Sequence, residues 1–218
     1  MKRVFALIGC AAVLLAALAA CGKTKPYGWE IQTTLEESRG GIEFKFSRPV
    51  FSGASPLVET ANRVYDKMEA EYISKMNAEG ANPTDETWNY TELSGFSYIR
   101  DDVLCFVTDG DWYMGGVHNS WVTGHTFDFN LGRELKLSDF VRGDEEEIRA
   151  ALMDAFVQEI ASFGDGEPDL SDARAQSGPD ANFYLTADGV YVFYMPYVVP
   201  ATQNGVTILI PWDSPLIG

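Results

Sequence analysis

Two segments of this 218-residue chain carry a helical stripe, and nearly every other apolar run alternates, a pattern that admits a mixed fold and little else. Ile42, Phe44 and Phe46 share one face against Glu43, Lys45 and Ser47, so residues 41–47 read as a half-buried strand. A weaker strand over 30–36 precedes it, with Gly40-Gly41 as the turn. Ser55-Pro56 opens the first helix, Ser as N-cap and Pro at the first helical position. Leu57, Ala61, Val64, Met68, Tyr72 and Met76 then fall on one stripe ending near Asn77. Strands are expected over 88–100 and 103–108, with Asp109-Gly110 as the next tight turn. Residues 123–130 alternate again, His125, Phe127 and Phe129 sharing a face. Asp144 with Glu147 makes a capping box for a second helix, whose buried stripe is Ile148, Leu152, Phe156, Ile160 and Phe163. Residues 164–179 read as a polar loop, and 183–186, 190–197 and 206–212 as three strands. The last two are apolar on both faces, which places them centrally. The expected class is α+β, antiparallel sheets packed with two main helices.

The first residues read as an export signal. Lys2 and Arg3 precede an apolar run from Val4 to Leu18, which ends in Leu18-Ala19-Ala20-Cys21-Gly22. The run is too short and too interrupted to span a bilayer. Leu-Ala-Ala-Cys resembles the lipobox of bacterial lipoproteins. That resemblance implies a diacylglycerol on the Cys21 thiol, cleavage after Ala20, and an extracytoplasmic protein anchored to the cell membrane or an outer membrane. The alternative is an ordinary secretory signal with Cys21 as a bystander.

Composition then narrows the partners. The full chain carries −16, and removing residues 1–20 leaves 14 basic against 32 acidic residues, −18. Such a charge argues against nucleic acid and an anionic membrane surface as direct partners and permits a basic one, the alternative being that it serves solubility alone. Beyond residue 21, Cys105 is the only thiol, so no internal disulfide can form; it sits in the run Val103–Val107 and reads as a small buried hydrophobe. At 46% hydrophobic residues, the chain can build the core that must replace disulfides.

Catalytic patterns are sparse. His118 and His125 lie seven apart, on opposite faces of any regular strand, and neither fits a zinc-site spacing. His125 reads as a core histidine. Gly-x-Ser-x-Gly is absent. Asp165, Glu167, Asp169 and Asp172 fail as a calcium loop, because Leu170 and Gln176 stand where Gly and Glu are needed. No cofactor, metal ligand or catalytic residue is assigned. The most unusual run is Tyr113-Met114-Gly115-Gly116-Val117-His118-Asn119, which suits either a tight turn or bulge, or a binding element made of Tyr113, Gly115, Gly116, His118 and Asn119.

That run, with Gly132–Phe140 and the strands from Phe183 to Tyr194 and Val206 to Trp212, resembles the RsiV-type extracytoplasmic domain, whose element reads Tyr-x-Gly-Gly-Ala-His; Val117 replaces the Ala. The resemblance implies a module of largely unknown function, found in anti-sigma factors that sense lysozyme by binding it and beside the catalytic part of a peptidoglycan deacetylase. It divides the chain into a signal (1–20), a tether (21–29), a smaller αβ subdomain (30–87) and the RsiV-like domain (88–218). With no anti-sigma region before the signal and no attached deacetylase, the expectation is a non-enzymatic envelope lipoprotein that binds a protein, such as basic lysozyme, or peptidoglycan. The alternatives are a cell-wall hydrolase or deacetylase using His118 with nearby acids, and a scaffold part of an envelope complex.

Overall fold

The computed structural model describes residues 25–81, 88–161, 170–198 and 205–218. It is an α+β fold with two sheets. The larger has six strands in the order of the chain: β1 (Tyr27–Arg39), β2 (Ile42–Gly53), β3 (Trp88–Arg100), β4 (Val103–Met114), β5 (Val117–Asp128) and β6 (Arg133–Leu135). Each neighbour is antiparallel except β2 and β3, which run parallel because α1 (Pro56–Glu79) carries the chain back between them. Beyond it come α2 (Glu145–Ile160), α3 (Leu170–Gln176) and an antiparallel sheet of β7 (Phe183–Leu185), β8 (Gly189–Tyr194) and β9 (Val206–Pro211). Among the described residues no helix is long and apolar enough to cross a membrane.

Helix α1 begins as its sequence dictates, the Ser55 hydroxyl accepting from the Leu57 N–H. It lays Leu57, Ala61, Tyr65, Tyr72 and Met76 on the sheet. Phe44 and Phe46 meet Tyr72, while Phe51 packs against Tyr65, Phe106 and Phe127. Burying aromatic side chains of this size is worth roughly 2–3 kcal/mol each, so this layer dominates the stability of the first half. Tyr65, absent from the expected stripe, is fully buried, whereas Val64 and Met68 are only half-buried. Beyond Ser47 strand β2 leaves β3, and its exposed backbone edge is taken by Asn62 of α1, whose amide accepts from the Phe51 N–H and donates to the Phe51 carbonyl.

The second core lies on the opposite face. Ile148, Leu152 and Phe156 of α2 pack on β8 and β9, with Phe156 against Tyr194 at 4.6 Å. The capping box forms as expected: Asp144 accepts from Glu146 and Glu147, and the Glu147 carboxylate accepts from the Asp144 N–H. Strand β7 crosses the larger sheet here. Its Leu185 N–H donates to Cys105 Sγ at 3.3 Å, and the Phe183 carbonyl presses on Gly124. Asn182 seals the junction, accepting from the Gly124 N–H and donating to the Val122 carbonyl where β6 no longer covers β5.

Several expectations change. Asp109-Gly110 is no turn: β4 runs on to Met114, because the Trp121 ring fills the space above position 110 that any side chain would need. The expected loop 164–179 contains α3 from Leu170; Phe163, Asp165, Glu167 and Asp169 lie outside the described residues. Strand β8 is central, but β9 is an edge strand with Leu209 exposed. Tyr27–Trp29, expected in the tether, open β1, and the larger sheet takes strands from both of the expected subdomains.

Candidate functional site

The run singled out in the sequence forms the far end of the β4–β5 hairpin. Met114 pairs with Val117, and Gly115 and Gly116 occupy φ of 57° and 84° between them. A two-residue turn matched to strand twist needs positive φ at both positions, so the glycine pair is explained by the hairpin itself. Nothing lies within 4 Å of the position a side chain would take on either. The turn is therefore presented outward, flanked by the exposed side chains of Tyr113 and Val117.

Just behind it, three strands meet through Asp111. Its carboxylate accepts from the Asn89 amide of β3 at 2.7 Å, and its other oxygen pairs with His118 Nε2 of β5. Alternation along β4 puts Leu104, Phe106, Thr108 and Trp112 toward α1, so Asp111 and Tyr113 lie on the open face, with His118 beside them. The β7–β9 sheet covers the other end of this face, near Cys105, and leaves the His118 end exposed. Tyr113, Gly115, Gly116 and His118 thus come together at one end of the hairpin, whereas Asn119, paired with Trp112, lies on the opposite, α1 face of the sheet. Chemically this is a solvent-facing hydrogen-bonding surface built round an oriented imidazole.

His125 lies apart, as the odd spacing requires. Its ring faces Tyr65 at 5.4 Å and its Nδ1 pairs with Glu134 at 2.7 Å. Its Nε2 and the Tyr65 hydroxyl are buried and meet no hydrogen-bond partner among the described residues. A cleft of about 470 Å³ borders His125 and Glu134 and continues past Asp180 and Asn182 into a second of about 410 Å³ beside Arg149. Sequence reading missed these clefts, because they join segments nearly sixty residues apart and no local pattern marks them. Among the described residues no group of three or more His, Cys, Asp or Glu side chains is placed to hold a metal ion.

On the α1 side of the sheet a polar network runs from exposed Lys75 to buried Tyr90 and Glu92. Lys75 donates to the Tyr90 hydroxyl, which donates to Glu92. Burial pushes the Glu92 carboxyl above the usual range, although Lys75 and the Tyr90 hydrogen bond pull the other way.

Against known proteins, no family model matches the sequence and no curated protein matches it. Solved structures do. A member of the DUF3298 family from Bacteroides fragilis NCTC 9343 aligns over 89% of this chain and 96% of its own, with a TM-score of 0.59 and 16% identity. A DUF3298 family protein from Pseudomonas aeruginosa PAO1 aligns over 85% and 88%, with a TM-score of 0.50 and 14% identity. What they share with this chain is the fold. DUF3298 is an uncharacterised domain family, so the likeness carries the fold alone and leaves function to the residues themselves.

Proposed function

We propose that this chain is a cell-envelope lipoprotein, lipid-linked through Cys21, whose domain is a non-catalytic module binding a protein or cell-wall ligand at the His118 end of its open face. The observation that supports this most is the hairpin end itself. Exposed Tyr113 stands beside the Asp111–His118 pair on a chain that carries −18 beyond residue 20. Exposed aromatic side chains beside polar groups are typical anchors of protein contacts. An acidic surface also speeds the approach of a basic partner. The sharpest form of the reading, drawn from the RsiV-type resemblance of Tyr113–His118 and Gly132–Phe140, is a basic protein such as lysozyme. Capture of lysozyme by the soluble domain at low ionic strength, weakened by salt and by Tyr113→Ala, is the expected result. No capture at low ionic strength removes lysozyme.

One geometric feature favours a second reading. A carboxylate that orients an imidazole is also a part of hydrolytic sites, and Asp111 does this for His118. A peptidoglycan-release assay comparing wild type with His118→Ala separates the readings: release that depends on His118 would replace the binding module with an enzyme.

A further inference from the structure

The start of the described chain is fastened to one end of the larger sheet. Lys25 Nζ donates to the Asp101 carbonyl at 2.7 Å and lies 3.1 Å from the Asp102 carboxylate. The Pro26 carbonyl accepts from the N–H groups of Ala54 and Ser55. The Tyr27 ring stacks on Phe129 at 3.8 Å. The β3–β4 turn, the β5–β6 turn and the start of α1 therefore gather round Lys25. Gly115-Gly116 lies at the opposite end: eleven register steps separate Val103↔Asp128 from Met114↔Val117, roughly 37 Å at strand rise.

Cys21 is four residues before Lys25, a reach of roughly 14 Å at full stretch. A lipid on Cys21 therefore keeps the Lys25 end close to the bilayer. That end bears Leu131, 63% exposed, more than any other described large hydrophobic side chain. Its turn is fixed, since Asp128 Oδ1 accepts from the N–H groups of Asn130 and Leu131. Around it Lys25, Arg100 and Arg133 offset most of the charge of Asp101, Asp102, Asp128 and Asp139, with Lys25 paired to Asp102 and Arg133 to Asp139. A nearly balanced end with a protruding leucine can touch lipid headgroups with little repulsion.

Resting on the lipid-linked reading of Cys21, we infer that the domain stands on the membrane through the Leu131 turn, with lipid as the partner of Leu131, and holds the Gly115-Gly116 hairpin outward. The test uses the lipidated chain on phosphatidylcholine vesicles, with Leu131→Cys or Tyr113→Cys as reporters for a bulky maleimide; the remaining thiol, Cys105, is buried. In the unlipidated Cys21→Ser chain made without residues 1–20, which also removes Cys10, both reporters react at similar rates. On vesicles the 131 position slows by on the order of ten-fold as lipid covers it, while 113 keeps its rate. Equal rates on vesicle-bound protein, or a slower 113, overturn the orientation while leaving the anchor intact. A chain that fails to float with vesicles overturns the lipid linkage, and the orientation with it.

Discussion

The Tyr27 hydroxyl donates to the Asp102 carboxylate at 2.8 Å, joining the first strand to a turn 75 residues later. With Lys25 on the same oxygen, this pair closes the sheet at the end where the described chain enters. The hydrogen bond from Tyr27, then that from Lys25, hold the Asp102 carboxyl below the usual carboxylate range. A depressed carboxylate adds stability above its unfolded value and loses it as pH falls through the folded one. Tyr27→Phe should cost about 1 kcal/mol at pH 7. The gap between wild type and Asp102→Asn in denaturant midpoints should close as pH falls from about 4 downward. A gap unchanged down to about pH 2 would contradict the assignment.

Glu92 predicts the reverse sign. Burial raises its carboxyl, so stability is complete below the unfolded value and declines as pH rises through the folded one. Wild type should lose ground to Glu92→Gln from about pH 4 upward, and Lys75→Met should steepen the loss by removing the nearby positive charge. Unfolding free energies across a pH series decide this; wild type gaining on Glu92→Gln as pH rises would refute it.

Gly124 and Gly115 separate crowding from backbone conformation. A side-chain carbon at Gly124 would stand 1.8 Å from the Phe183 carbonyl oxygen, so Gly124→Ala must push the two sheets apart, at a cost of about 3 kcal/mol. Gly115→Ala meets open space and pays only for its positive φ, about 1 kcal/mol. Denaturant titration of both variants should rank them in that order, and equal losses would show that β7 yields without strain.

The Cys105 thiol should be silent in the native protein. It is buried, and burial pushes its ionisation up against the Leu185 N–H that favours the thiolate. A soluble disulfide reagent should react with it only as fast as the domain unfolds, with full reactivity in denaturant. Reaction in native buffer at the rate of a free thiol would mean that the contact between the sheets opens readily.

Much of this architecture was legible because it is local. Alternation located β2, the Ser55-Pro56 start located α1, and the Asp144–Glu147 pair located α2, since caps and strand faces are set by residues a few positions apart. Misreadings arose where a distant group decides. Asp109-Gly110 has turn chemistry, yet position 110 is glycine because Trp121, eleven residues on, lies over it. Tyr65 fell off the expected helical stripe because Phe51 and Phe127 meet α1 on a second face. At the candidate site, the glycine pair and His118 stood out in the sequence. Asn89 and Asp111, which orient the histidine, did not, because only cross-strand register brings them to it. Asn182 was invisible for the same reason: its partners Val122 and Gly124 lie sixty and fifty-eight residues away.

Strand order that follows chain order has a kinetic consequence. From β1 to β6 each strand docks beside the one made just before it, and only the α1 crossover delays a pairing. Short sequence separations close small loops, which lowers the entropic barrier to assembly. The six-stranded sheet can therefore grow from its first hairpin one strand at a time. The β7–β9 sheet must wait, since β7 lands on Cys105 and Gly124, which are in place only once β4 and β5 have paired. Refolding should accordingly show the aromatic layer under α1 forming ahead of the second core.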